Sequence, residues 1–450
     1  MLFFSLGILA QDSTKYVIDD FAVEGNKRTK DWIIIKECGY QKGDSVSLSQ
    51  VINDIKRNVQ NQQLFTLVEV SPVTLPNEKI LVLITVSERW YIYPAPILEL
   101  AEPNFNIWWR NRKDSRTNYG FRIDDLNFRG RNERLSLIFK FGYSRQFAIR
   151  YSTPYISKNK DYGLFIRGSF NENREVNTGT VNNERVFYLG DKSNTRSEYG
   201  AKIGVTKRPN VYDRHALQLQ YRKVEVEDSL HIVHPDYLRT PSSNLAFIGL
   251  SYSFGHTDVD RRGYPLTGYS YAARIDKKGL GLIENGCDVT EAYLDYRKYQ
   301  PLGKRWHSQH MLSLKATYDK GLPYYLQRGL GYGNQSVRSY EYFIMDGQNY
   351  ALGRNNLKYT LIPERAIPFT ENFHRLIRDF RFGLFVNLIA DIGYVQDDLY
   401  GEFNSKNNTL LLGTGIGIDM VTNYDMVFRI ETTIHQDGRP GIFLHYSKSI

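Results

Sequence analysis

The sequence predicts a mainly β protein: a small N-terminal β-α-α-β-β module, then an antiparallel β-barrel that crosses a membrane, with about sixteen strands. Three observations carry this. Helical periodicity is confined to residues 16–89. From Trp90 onward, apolar and ionic residues alternate in segment after segment, the period-2 signature of a strand with two different faces. The composition is rich in Tyr (33), Phe (24) and Gly (35), yet the mean hydropathy is −0.46. Outward apolar and inward polar residues cancel in that way in outer-membrane barrels. Beyond the N-terminus, no run approaches the ~18–20 apolar residues that a spanning helix needs.

The elements follow in order. Residues 1–10, "MLFFSLGILA", read as a signal peptide cleaved before Gln11, or as a buried first strand. "YVIDDFAVEG", Tyr16 to Gly25, is a strand ended by Gly25-Asn26. "TKDWIIIKECG" fits a short helix stopped at Gly39, the usual place for a glycine cap. In "SLSQVINDIKRNVQNQQLF", Val51, Ile55 and Val59 recur at i, i+4, i+8, and Ser47 and Gln50 have capping-box spacing. "FTLVEVSPVTL" and "EKILVLITVSE" form a hairpin around Pro76 to Glu78. The module thus spans 16–89 and the barrel 90–450.

Within the barrel, "RLSLIFKFG" puts Leu135, Leu137, Phe139 and Phe141 on one face, with Ser136 and Lys140 on the other and Ile138 interrupting the polar row. In "FRIETTIH", Phe428, Ile430, Thr432 and Ile434 oppose Arg429, Glu431, Thr433 and His435. Such a sheet is either a soluble sheet with a wet face or a barrel with lipid outside and water inside. No helix is available to cover the apolar face, which favours the barrel. "NIWWRN", "DYG" and "LPYYLQ" near strand ends fit interfacial aromatic girdles. Residues 90–450, at roughly 22 residues per strand and connection, suit about sixteen strands, and fourteen or eighteen also fit.

Little in the sequence points to chemistry. The net charge of +9 would suit a soluble basic protein, but the basic residues recur singly along strands and do not build a nucleic-acid-binding face. Cys38 and Cys287 make neither a disulfide framework nor a metal motif. "GTGIGID", Gly413 to Asp419, lacks the helix a phosphate loop requires. His307 and His310 would point to opposite faces of a strand. No nucleophile, catalytic carboxylate pair, metal site or cofactor is expected, and the chain reads as a non-enzyme.

"FAVEGNKRTKDWII", "LFTLVEVSP", "LNFRGRNERLSL", "VRSYEY" and "LIADIGYV" (Leu388 to Val395) stand out as motifs, and together they resemble the BamA/TamA-type outer-membrane assembly superfamily. "FAVEGNKRTKDWII" (Phe21 to Ile34) and "LFTLVEVSP" (Leu64 to Pro72) look like motifs of its soluble POTRA domains. "LNFRGRNERLSL", "YSTPYI" and "DRRGYPLTGYSY" resemble its barrel strands. "VRSYEY", Val337 to Tyr342, is similar to its "V-R-G-Y/F" motif at the tip of the sixth extracellular loop, with Ser339 at the Gly position and Tyr340 following. The resemblance implies that this loop folds into the barrel and that Arg338 meets an inward acid in an "F-x-D-x-G" pattern, here Asp391, with Ile389 at the Phe position.

It also implies a bacterial outer-membrane protein with its POTRA domain in the periplasm. Its partners would be the lipid bilayer, client outer-membrane or exported polypeptides, and periplasmic or lipoprotein accessory subunits. Client strands would be templated at a lateral seam between the first and last barrel strands. Pro94 and Pro96 weaken the first strand there, unless they lie before pairing begins, and the last strand contributes Leu444 and Tyr446. The competing readings are a two-partner-type polypeptide secretion transporter and a passive porin. The former usually carries two POTRA modules and a plug helix, for which Gln11 to Lys15 leave no room.

Overall fold

The structure is a computed structural model that describes residues 14–100, 116–191, 194–284, 286–318, 321–368, 379–422, 425–438 and 440–448. The expected signal peptide and the "NIWWRN" segment lie outside the described residues. The chain divides into two compact units: one runs to Tyr91 and includes Leu126–Glu133, and the other takes Ile92–Asp125 and everything from Arg134.

The first unit contains β1 (Tyr16–Glu24), α1 (Asp31–Glu37), the two-residue β2 (Ser45–Val46), α2 (Leu48–Gln60), β3 (Phe65–Leu75) and β4 (Lys79–Glu88). The sheet order is β2-β1-β4-β3, with β1 parallel to β4. Val51, Ile55 and Val59 of α2 are fully buried, as the spacing requires, together with Ile33 and Ile34 of α1. The expected capping box is absent. Ser47 occupies the N-cap, but its side chain makes no cap bond, and the turn is held by Val51 N donating to Ser47 O at 3.1 Å.

The "GNKRT" turn has a clear physical basis. Gly25 has φ +84°, and a Cβ there would strike Val86 O. The Asn26 side-chain amide donates to Thr29 O at 2.7 Å, and the Glu88 carboxylate accepts from the backbone N–H of Arg28 and Thr29.

The second unit is built on one sixteen-stranded sheet. Its strands are β5 (Ile92–Leu100), β6 (Thr117–Phe128), β7 (Glu133–Gly142), β8 (Ser144–Thr153) and β9 (Tyr162–Asn173). A separate hairpin, β10 (Glu175–Val181) and β11 (Glu184–Leu189), follows. The sheet resumes with β12 (Arg196–Lys207), β13 (Asp213–Val226), β14 (Asn244–Val259), β15 (Gly268–Lys278), β16 (Val289–Pro301) and β17 (Trp306–Tyr318). It ends with β18 (Asn349–Pro368), β19 (Asp379–Gln396), β20 (Leu410–Thr422), β21 (Met426–His435) and β22 (Pro440–Lys448). Neighbours in the sheet are neighbours in the chain apart from the excursion into β10 and β11, and β5 and β22 stand at the two ends of the order.

Burial is inverted relative to a soluble sheet. On β21, Ile430 is 56% exposed and Glu431 is 1% exposed. Leu217, Leu219, Ile392, Leu412, Ile416 and Leu444 are likewise exposed, while Asp391, Asp419 and Lys358 are buried. A soluble protein rarely leaves so extended an apolar surface uncovered in water. Apolar side chains turned outward around an ionic interior belong to a barrel in lipid. The sheet curves back on itself: in the turn before β15, Tyr264 reaches Asp419 on β20, with its hydroxyl donating at 2.6 Å.

The girdle expectation needs one correction. Tyr324 and Tyr325 of "LPYYLQ" are buried, packed with Tyr237, Leu245 and Phe247 inside the second unit. Their hydroxyls need partners, and the protein supplies them: Tyr324 donates to Asp346 at 2.6 Å and Tyr325 accepts from Arg222 at 3.2 Å. Tyr162 of "DYG" is exposed on the outer face.

Candidate functional site

The connection between β17 and β18 is the sixth hairpin connection on the side of the sheet where β5 joins β6. Its tip, Val337 to Glu341, is buried against the inward faces of β18 to β22. Arg338 Nε donates to Asp391 Oδ2 at 2.8 Å, and its terminal nitrogen donates to Oδ1 at 2.5 Å, a two-pronged pairing that fits the guanidinium fork to the carboxylate. The side chains are 4% and 0% exposed. The Arg338 backbone N–H also donates to Asp391, and the remaining guanidinium nitrogen donates to Asn356 Oδ1 at 2.6 Å. Arg354 on β18 lies 4.0 Å from Asp391 and donates to Ser336 O at 2.8 Å, tying the tip to a second cation.

Two glycines make room for the tip. A Cβ at Gly413 on β20 would strike Arg338 O, and one at Gly393 on β19 would strike Val337 Cγ2. The "GTGIGID" run is therefore a strand whose first glycine accepts a loop backbone. The Gly of the "D-x-G" pattern clears space for Val337, which is fully buried with Leu330, Tyr340, Met345, Leu352, Val395 and Leu411. Ser339 has φ +97°, a region that glycine occupies freely and serine does not. The tip keeps the glycine-type turn despite the serine. The base of the loop is fixed separately: Asp346 accepts from Tyr324 and Tyr332, and its carbonyl accepts from Asn407. Burial pushes the Asp346 carboxyl up, against the pull of Arg328 and the two hydroxyls.

Sequence reasoning missed how far this network extends. Glu431 of β21 lies 3.6 Å from Arg338 and 3.4 Å from Arg429, and Arg429 pairs with Asp419 at 2.5 Å. His445 of β22 lies 3.0 Å from Glu341 of the loop tip and 3.4 Å from Glu431, and the Tyr342 ring meets Phe443 at 5.3 Å. The tip therefore touches the last strand from within. Glu341, Glu431 and His445 have the donor set for a divalent cation. Arg338 and Arg429 beside Glu431 already supply positive charge there, so the trio reads as part of an ionic network. The signal available in sequence was the polar and ionic row Arg429, Glu431, Thr433 and His435 at alternate positions of β21, with the single His445 on β22, but nothing in it says which residue each one faces.

The remaining expected residues lie at the ends of the sheet. Pro94 and Pro96 fall within the β5–β6 ladder, opposite Ile123 and Phe121. Leu126 N donates to Tyr91 O at 3.0 Å, which sets the phase of that ladder. Odd-numbered residues of β5 exchange hydrogen bonds with β6, and even-numbered ones turn their backbone polar groups the other way. Both prolines are even-numbered. The β5–β6 pairing loses nothing, while the outer edge of β5 lacks two donors. On β22, Leu444 and Tyr446 are exposed on the outer face. Among the described residues no ladder joins β5 to β22.

Known proteins agree with this architecture. The Omp85 superfamily domain matches residues 127–424. BamA from Haemophilus ducreyi lacking POTRA domains 1–3 is similar in fold, with a TM-score of 0.51 and 16% identity over 96% of this chain and 85% of that one. CdiB from Escherichia coli is similar with a TM-score of 0.60 and 13% identity over 96% and 76%. CdiB from Acinetobacter baumannii gives 0.50 and 14% over 96% and 73%. No curated protein sequence matches. With two thirds of its length matched, its sixteen strands in antiparallel succession and its outward apolar face, the chain belongs to the Omp85 superfamily of outer-membrane β-barrel proteins.

Proposed function

We propose that this protein inserts or exports client polypeptides at the bacterial outer membrane, releasing them laterally at a seam between β5 and β22. The observation that carries the reading is the pair of outward-turned prolines on β5. A strand edge short of two donors forms a weak closure, and a weak closure can exchange its partner for a client strand. The Arg338–Asp391 pair acts as a lock that holds the loop tip, and through Glu341 and Tyr342 the tip braces β22 from inside. The N-terminal unit serves as a POTRA-type domain in the periplasm that receives clients or accessory subunits. A second reading, passage of a polypeptide through the lumen as in two-partner-type transporters, is favoured by the position of the tip itself, whose withdrawal would vacate space beside β19 and β20.

Reconstitution in liposomes with an unfolded outer-membrane client tests the first reading. Pro94→Ala with Pro96→Ala restores both donors and should slow client insertion, and Arg338→Ala and Asp391→Ala should change it together. Equal insertion by wild type and all variants would refute the seam and the lock. Protease protection of a soluble client inside the vesicles would favour passage through the lumen.

A further inference from the structure

The opposite part of the sheet carries positive charge that no ion pair among the described residues neutralises. Arg150 of β8 is directly in register with Arg167 of β9, and Arg167 with Lys202 of β12. All three share the inward face, because Ile149, Ile166 and Ile203 beside them are exposed outward. Three cations are thus stacked across three adjacent strands, where opposed positions lie about 4.5–5.5 Å apart between Cα atoms. Like charges placed directly opposite each other destabilise a sheet.

The nearby carboxylates have closer partners: Glu198 lies 3.5 Å from Arg222 and Asp276 lies 3.1 Å from Arg274, so their pull on Arg167 and Lys202 is a longer-range one. Among the described residues, Arg150, Arg167 and Lys202 have no ion-pair partner, and the Nε atoms of Arg150 and Arg167 are buried without an acceptor. Next to this row is a cavity of about 250 Å³, lined by Lys202, Arg222, Arg274 and Lys278 and by two acids, Asp276 and Glu291, among others; Glu291 is paired with Lys278 and Lys315. On the loop-bearing wall, by contrast, Asp391, Asp419 and Glu431 each have an arginine close by.

We infer that the Arg150–Arg167–Lys202 row and the adjoining cavity bind carboxylate side chains of an extended acidic polypeptide segment within the lumen. The inference rests on the polypeptide-handling reading above and names the client chemistry that the lumen selects. A guanidinium without an acidic partner suits carboxylate recognition, because it presents several donors in a fixed fork. Three strands in a row present cations at successive steps of about 4.7–4.9 Å, so a client crossing the strands meets one after another.

The test uses the full chain in lipid nanodiscs, with fluorescent peptides that alternate Glu with Ser or Lys with Ser, measured by anisotropy at low and high salt. The Glu peptide should bind and the Lys peptide should not, with affinity falling as salt rises. Arg150→Gln, Arg167→Gln and Lys202→Gln together should weaken binding roughly tenfold or more, the scale of losing one or two charge-assisted contacts. Arg167→Gln alone should weaken it by a smaller factor, which guards against a triple variant that misfolds. The series is repeated with Arg338→Ala, where the loop tip is released, so that a closed lumen does not hide the site. Absence of Glu-peptide binding in both backgrounds overturns the inference, as does equal binding by the Gln variants. Competition by inorganic phosphate as strong as by the peptide would also overturn it in favour of a small-anion site. Insertion of a client without acidic residues, measured in the same lipids, reports on the polypeptide-handling reading separately.

Discussion

Removing either partner of the Arg338–Asp391 pair should release the loop tip without unfolding the barrel. In Arg338→Ala, Asp391 keeps a side chain with no solvent access and, among the described residues, only Arg354 at 4.0 Å as a nearby cation. Truncating one partner of a buried pair costs about 3–5 kcal/mol, mostly from the stranded charge. At about 1.4 kcal/mol per factor of ten, local opening of the tip becomes roughly 10²- to 10⁴-fold more frequent. Hydrogen exchange read by mass spectrometry over the tip measures this directly, because Arg338 N donates to Asp391 and Ile344 N donates to Asn183 O, both acceptors outside the loop. The barrel ladders should keep their protection. Asp391→Ala should behave alike, and the double variant should exchange little faster than either single one, since the second truncation removes a charge that is already unpaired. A tip that stays protected in Arg338→Ala, or fully additive effects in the double variant, would refute the lock.

Three further outcomes follow from the same geometry. Gly413→Ala places a methyl group on the Arg338 carbonyl, where the neighbour is backbone and cannot give way, so tip exchange should rise as in Arg338→Ala while the ion-pair residues remain intact. Ser339→Gly removes the strain of φ +97° and should slow tip exchange several-fold, for about 1 kcal/mol; faster exchange would show that the turn is not strained. In the N-terminal unit, burial raises the Glu88 carboxyl, but hydrogen bonds from Thr29 and Arg28 outweigh it and hold the group below its ordinary range. A depressed acid stabilises the fold above its unfolded pKa, and the stabilisation is lost as pH falls through the folded value. Exchange at Arg28 and Thr29, corrected for intrinsic rates, should therefore accelerate at acid pH in the wild type, and Glu88→Gln should flatten that dependence.

Much of the site can be read in one dimension because it rests on short motifs. Arg338 in "VRSYEY" and Asp391 in "ADIG" each stand in a local pattern, and period-2 alternation shows that Asp391 points to the ionic face. The brace to β22 cannot be read that way. Glu341, Glu431 and His445 are far apart in sequence and carry no shared motif, and they meet only because a loop from β17–β18 lies across the later strands. The burial of "LPYYLQ" escapes the sequence for a related reason. An aromatic pair near a strand end fits a membrane interface as well as a buried loop anchor, and the deciding partners, Asp346 and Arg222, are contributed by other segments.

The sequence alone determined which residues form strands and which side chains share a face, because alternation is a property of the extended backbone itself. It also determined the helix α2 and its buried stripe, for the same local reason. The face that lines the interior was favoured in sequence only by the lack of a helix to cover the apolar face, and the burial of Asp391, Asp419 and Glu431 shows it directly. Only the tertiary structure decided register. Register set Arg150, Arg167 and Lys202 side by side, turned the nitrogens of Pro94 and Pro96 toward the open edge, and brought Gly413 beneath Arg338. Each of these depends on pairing between strands, which brings together residues that are far apart in sequence.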